Sequence, residues 1–224
     1  MPFELGRPIG PPDHAEFQMD VVRSLLGLFT RESGPVLEDF PRESPVTDDT
    51  DAAWSCTIPL PALPVAKTPE EALKQALLQE VATLQPWYTE SMQRLGRTTF
   101  GLSGLTVESM PDIASFLADV AAGDNPEPLA GLSEPLPGAI RYMADDAKAY
   151  YMEAANQQPH STPPGGVRMW TWIYHETRLG EVFYKLRDRL ASEYADRTTA
   201  NGGKRPPGPP PINPVSARFA KQPQ

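Results

Sequence analysis

The chain reads as an all-α protein: a bundle of five to six helices with proline-rich connectors, an extended N-terminal arm and a C-terminal tail. Three observations predict this. Apolar residues recur at helical spacing in window after window. Prolines, 27 among 224 residues and about twice the usual share, gather between those windows, at 8–12, 58–64, 126–137, 159–164 and 206–214. Almost no stretch shows the strict alternation of a half-buried strand.

Residues 1–12 are rich in proline and glycine and read as the extended arm. Asp13 is placed to cap a helix running to about Thr30, with Phe17, Val21, Leu25, Leu28 and Phe29 on its apolar face and Gly34-Pro35 as its stop. Residues 35–67 carry acids, prolines and the run Trp54-Ser55-Cys56, and read as an irregular loop wrapping the body. Thr68-Pro69-Glu70-Glu71 is a capping box with proline at the first helical position. Leu73, Leu77, Val81 and Leu84 follow on one face. Pro86 lacks a backbone donor and predicts a kink or a split there, with a second piece ending at Gly96.

Ser109 with Asp112 forms a weaker box before Ile113, Phe116, Leu117 and Val120, and Gly123 closes that helix. Ile140, Met143, Ala144, Ala147, Tyr151 and Ala154 outline the next, from Pro137 to about Gln157. The longest is predicted from Val167 to Ala195 as one continuous rod. Residues 13–200 thus read as a single helical domain, and 201–224 as a Pro/Gly-rich basic tail, disordered in isolation.

The charge is uneven. Lys204, Arg205, Arg218 and Lys221 lie in a tail without acids, so a body of −13 is brought to a net −9. An acidic body argues against nucleic acid as partner. No apolar run approaches the roughly 20 residues of a membrane span, and the single Cys56 excludes an intrachain disulfide. Cytoplasmic residence without membrane contact is the expectation.

The candidate chemistry centres on His175 and Glu176. In a continuous helix they flank the stripe Trp172, Leu179, Phe183, Leu186 and Leu190, half inside the core. There His175 is a candidate base or ligand and Glu176 a candidate catalytic partner; a buried histidine bonded to a loop carbonyl, with Glu176 paired to Arg or Lys, is the plainer account. The loop Gly96–Leu105 holds three glycines, three hydroxyls and Arg97, a set able to wrap an anion with backbone N–H groups. Arg97, Ser103, Gly104 and Trp172 are the ligand-binding candidates, and a tight helix-to-helix crossing is the plainer account of the glycines. Arg141, Asp145 and Lys148 read as ion pairs on a solvated face. Cys56 reads as an inert thiol, having no nearby base to lower its pKa. With His14 and His160 outside any Glu-x-x-His spacing, no metal site is expected. No cofactor is indicated.

One stretch resembles a known family. Leu5-Gly6-Arg7-Pro8-Ile9-Gly10-Pro11-Pro12, Phe17-Gln18 and Gly34-Pro35-Val36-Leu37-Glu38-Asp39-Phe40-Pro41 resemble a segment in proteins related to the glycine/sarcosine/betaine reductase B component. That family's chemistry uses a redox-active cysteine or selenocysteine on an α/β domain, and this chain has no such pattern. The resemblance therefore implies a helical companion of a reductase-type assembly. Three functions follow as expectations: an accessory or interaction subunit bound to a larger protein or to copies of itself; a small enzyme using the His175 pocket, with the glycine loop closing over the last helix; or a ligand-binding bundle using Trp87, Tyr88, Trp170 and Trp172.

Overall fold

A computed structural model describes residues 9–10, 14–42, 66–136, 138–158, 166–204 and 213–215. Among them are six α-helices and no strand: α1 (Ala15–Gly27), α2 (Pro69–Leu95), α3 (Met110–Ala122), α4 (Gly138–Ala155), α5 (Gly166–Thr171) and α6 (Arg178–Ala200). The chain divides into two compact units, one of Met1–Trp54 with Thr162–Arg168, the other of Ser55–Ser161 with Met169–Gln224.

In the first unit, α1 buries Phe17 and Val21 and leads into a 3-10 turn, Leu28–Thr30. Its cap position is His14, without a side-chain hydrogen bond, and Asp13 lies outside the described residues. The returning segment brings Phe40 edge-on to Phe17, ring centroids 5.8 Å apart, and Arg42 over the same ring at 5.3 Å. Arg42 also bonds Asp20, and Arg31 bonds Glu38 at 2.8 Å.

In the second unit, α2 begins as the capping box predicts. Thr68 Oγ1 accepts from the Glu71 N–H at 3.1 Å, while Glu71 reaches back to the Lys67 N–H at 2.8 Å. The helix then runs unbroken through Pro86, which corrects the predicted split. The reason lies in exposure: Pro86 and Ala82, whose carbonyl loses its N–H partner to the proline, both face solvent, where water replaces the missing donor. Gly96 ends the helix with φ +64°, the left-handed cap that glycine adopts without strain.

Ser109 does not cap α3; it closes a 3-10 turn, Val107–Ser109, and its side chain makes no capping bond. The far end of α3 is held from α6. Arg189 bonds the carbonyls of Val120 and, at 2.7 Å, Asp124.

Helix α2 packs on α3, α4 and α6, and α3 packs on α4 and α6. Leu77 and Leu84 from α2, Ile113 and Leu117 from α3, Met143, Tyr150 and Tyr151 from α4, and Phe183 and Leu186 from α6 are fully buried. Each such side chain contributes about 1.5–3 kcal/mol through the water it leaves. Lys74 ties α2 to α3 through Asp119 at 2.7 Å.

The rod predicted from Val167 to Ala195 is in fact broken. Helix α5 passes into a π-helical turn, Trp172–Glu176, and Thr177 adopts an extended conformation, φ −115° and ψ 159°, before α6 starts. Thr177 Oγ1 donates to the Ile173 carbonyl at 2.7 Å and accepts from the Gly180 N–H at 3.1 Å. One hydroxyl thereby caps the new helix and ties off the old one.

Candidate functional site

The glycine loop does wrap an anion, and the anion is the protein's own. Asp146 Oδ1 accepts from the N–H groups of Gly101 at 2.9 Å and Leu102 at 2.8 Å. Its Oδ2 accepts from the Ser103 N–H at 3.0 Å and the Ser103 hydroxyl at 2.6 Å. Both side chains are fully buried, at 0% exposure. Four donors on one carboxylate satisfy a charge that would otherwise be costly to desolvate.

Two turns further along α4, Glu153 holds the loop's first half. Its Oε1 accepts from the Thr99 N–H and hydroxyl, both at 2.7 Å, and its Oε2 from the Thr98 hydroxyl at 2.7 Å. Tyr88, stacked on Tyr150 with centroids 4.8 Å apart, bonds Thr98 at 2.7 Å. Burial raises its hydroxyl above the ordinary tyrosine range.

The loop's second half is pinned to the segment before α4. The Ser133 N–H donates to the Ser103 carbonyl at 2.7 Å, and its hydroxyl to the Leu102 carbonyl at 3.0 Å. Gly104 sits at φ +86°, and a Cβ there would lie 2.8 Å from the Gly131 carbonyl oxygen and 2.9 Å from the Ser133 nitrogen. Of the ligand-binding candidates, Ser103 is thus spent on Asp146, Gly104 is a close-approach point, and Arg97 is exposed. The loop's bonds run to α4, to Tyr88 of α2 and to Ser133.

Trp172 is 1% exposed and lies against Tyr151, centroids 5.9 Å apart. His175 and Glu176 stand on the surface at the end of the π turn, not half inside the core. The helix break causes this, because the π turn and the extended Thr177 reset the angular register on which the half-buried placement depended. His175 Nε2 is 3.1 Å from the Tyr184 hydroxyl. Burial raises that hydroxyl above its usual range, opposed by Arg187, whose guanidinium lies 5.0 Å from the ring centroid. An exposed imidazole against a buried neutral phenol has the composition of a proton-transfer couple. Trp170 stacks on Tyr174 at 5.6 Å, and the Tyr174 hydroxyl donates to the Pro214 carbonyl at 3.3 Å.

The second carboxylate that sequence reading passed over is Glu80, 3% exposed in the middle of α2. Both its oxygens accept from the Arg178 N–H, each at 2.8 Å, and Oε2 also accepts from the Leu179 N–H at 3.4 Å and the Tyr151 hydroxyl at 3.1 Å. Glu80 therefore sits on the first free N–H groups of α6, where the helix dipole favours negative charge. Burial nevertheless dominates and pushes its pKa up to about 7, against the opposing bonds from Arg178, Tyr151 and Leu179.

Both missed acids had a positional signal. Glu80 lies three residues after Leu77 and four before Leu84, and Asp146 three after Met143 and four before Tyr150, so each falls on its helix's apolar stripe. The neighbouring Asp145 drew attention instead. It pairs with Lys148 at 2.8 Å and, more loosely, with exposed Arg141 at 4.0 Å. Lys148, however, is largely covered and lies 5.5 Å from the centroid of the buried Phe183 ring, so the predicted solvated face holds only at Arg141.

Among the described residues no group of three or more His, Cys, Asp or Glu is placed to hold a metal ion. Nor is any helix among them long and apolar enough to cross a membrane. Cys56, His160 and most of the tail lie outside the described residues. No family model, curated protein or solved structure matches the chain.

Proposed function

We propose that the chain is an accessory or interaction subunit of a larger enzyme assembly, of reductase type by the resemblance at residues 5–41. In this reading it is a helical bundle with proline-rich connectors that works in the cytoplasm. The observation that carries the reading is the second apolar face of α1. Phe17 and Val21 fill one side of that helix, yet Met19, Leu25 and Leu26 are 47%, 56% and 57% exposed. Phe29, in the turn that follows, is 85% exposed. At about 100° per residue, these four positions occupy one continuous sector. Contiguous exposed apolar surface marks an interaction site.

The occupant we infer is a protein. Helix α1 carries Glu16, Asp20 and Arg23, and Arg23 is engaged by Asp20 at 3.5 Å. Helices that lie on membranes are instead rich in Lys and Arg. The glycine loop supports the same reading, since Asp146 and Glu153 already take the donors an anionic ligand would need.

The test is a pull-down of the tagged full-length chain from its native lysate. Beside it run a Leu25→Ser/Leu26→Ser/Phe29→Ser variant and a chain lacking residues 201–224. A stoichiometric enzyme whose turnover depends on the chain, lost with the α1 variant, is the expected result. A wild-type monomer without a partner overturns the proposal. Loss with the truncation alone would move the contact to the tail.

A second reading, a small enzyme or ligand-binding protein, draws on the His175–Tyr184 couple in the π turn. Single π turns recur at functional sites.

A further inference from the structure

Glu80 joins three separate elements of the second unit. It belongs to α2, receives the Tyr151 hydroxyl from α4, and receives two backbone N–H groups from the first turn of α6. Those N–H groups follow directly on Thr177, the residue that breaks the helix between the π turn and α6. A Cβ on Gly180, in the same turn, would lie 2.4 Å from the carbonyl oxygens of both Ile173 and Tyr174. The start of α6 is therefore pressed against the π turn from one side and pinned by Glu80.

We propose that Glu80 is a proton-sensitive pin: ionised, it holds the first turn of α6 to α2 and fixes the π turn that presents His175 and Glu176; protonated, it loosens that joint. The geometry supplies the mechanism. Both oxygens accept from the Arg178 N–H, so a proton on either one takes an acceptor from that shared bond and weakens the acceptor that remains. The neutral carboxyl also gives up its attraction to the helix N-terminus. The groups facing Glu80 are the Tyr151 hydroxyl from α4 and, from α6, the Arg178 and Leu179 amides and the Arg178 guanidinium, itself drawn to Glu181 at 3.2 Å. Burial raises the carboxyl to about 7 while the bonds from Arg178, Tyr151 and Leu179 oppose the rise. An α6 start that slips off Glu80 while the carboxyl stays buried loses that opposition and binds the proton more tightly, so protonation favours the loosened joint.

The experiment follows the Arg178 and Leu179 amide resonances of the intact chain by nitrogen–proton correlation NMR, from about pH 5.5 to 8.5, a span that brackets neutral titration. Both amides should move with a shared midpoint near 7. Glu80→Gln should hold them still, because the amide keeps an acceptor oxygen and cannot titrate. His175 is an exposed imidazole three residues before Arg178, so His175→Asn is the control and must leave the midpoint in place. Tyr151→Phe removes one donor to the charged form and should raise the midpoint, which decides the matter even where Glu80→Gln fails to fold. Amides that stay still in the wild type, or a titration abolished by His175→Asn, would overturn the proposal.

Discussion

At Asp146 one carboxylate gathers three consecutive backbone N–H groups and a hydroxyl, and so determines the path of the loop between α2 and α3. Removing such an acceptor leaves buried donors without partners, a larger loss than that of an ordinary hydrogen bond. Asp146→Ala should lower unfolding free energy by about 3 kcal/mol or more. Asp146→Asn, which retains one acceptor oxygen, should cost clearly less. Urea denaturation of the two variants checks the order, and an equal, small loss in both would show that the loop does not depend on the carboxylate. The sequence showed the loop's capacity to bind an anion through its glycines and hydroxyls. It did not show which anion, because a partner 43 residues away is fixed by helix packing and not by local pattern.

Helices were the most legible level. The Thr68 cap, the glycine stops at Gly96 and Gly123, and the apolar stripes of α2, α3 and α4 all stand where spacing put them. The break at Thr177 was not legible. Apolar spacing continues across it, and no proline or glycine sits at the break itself. The available clue was weaker: a threonine, a good cap residue, three positions before Gly180. Gly180 shows why the joint demands its residue, since a methyl group there would meet two carbonyl oxygens at 2.4 Å. Gly180→Ala should therefore destabilise the protein by about 2–4 kcal/mol, although alanine favours helix by about 1 kcal/mol elsewhere. Thermal unfolding of that variant gives the sign at once. A stabilised Gly180→Ala protein would mean that α6 and the π turn are not in close contact. Pro86 teaches the converse lesson: a helix breaker on the solvent side leaves the hydrogen-bond loss to water, and α2 continues.

For the molecule as a whole, the buried carboxylates of the second unit are bound, and a group of exposed apolar side chains gathers on the first unit's helix. Glu80 and Asp146 are engaged by backbone N–H groups, while Met19, Leu25, Leu26 and Phe29 lie open on α1 and Leu37 beyond it is 98% exposed. A chain arranged this way has its strongest unsatisfied surface in apolar area, the term that drives protein association. Composition had pointed to a helical, acidic protein, but not to this division between bound buried carboxylates and an open helix, because α1's two apolar faces merge in a count of hydrophobic residues. Hydrogen exchange of the chain alone and in its captured complex tests the accessory-subunit reading most directly. The account predicts gained protection across residues 15–37 and none in the glycine loop 96–105 or the π turn 172–176. Protection confined to the loop and the π turn, with α1 exchanging as freely as before, would contradict it and give the His175 reading first place.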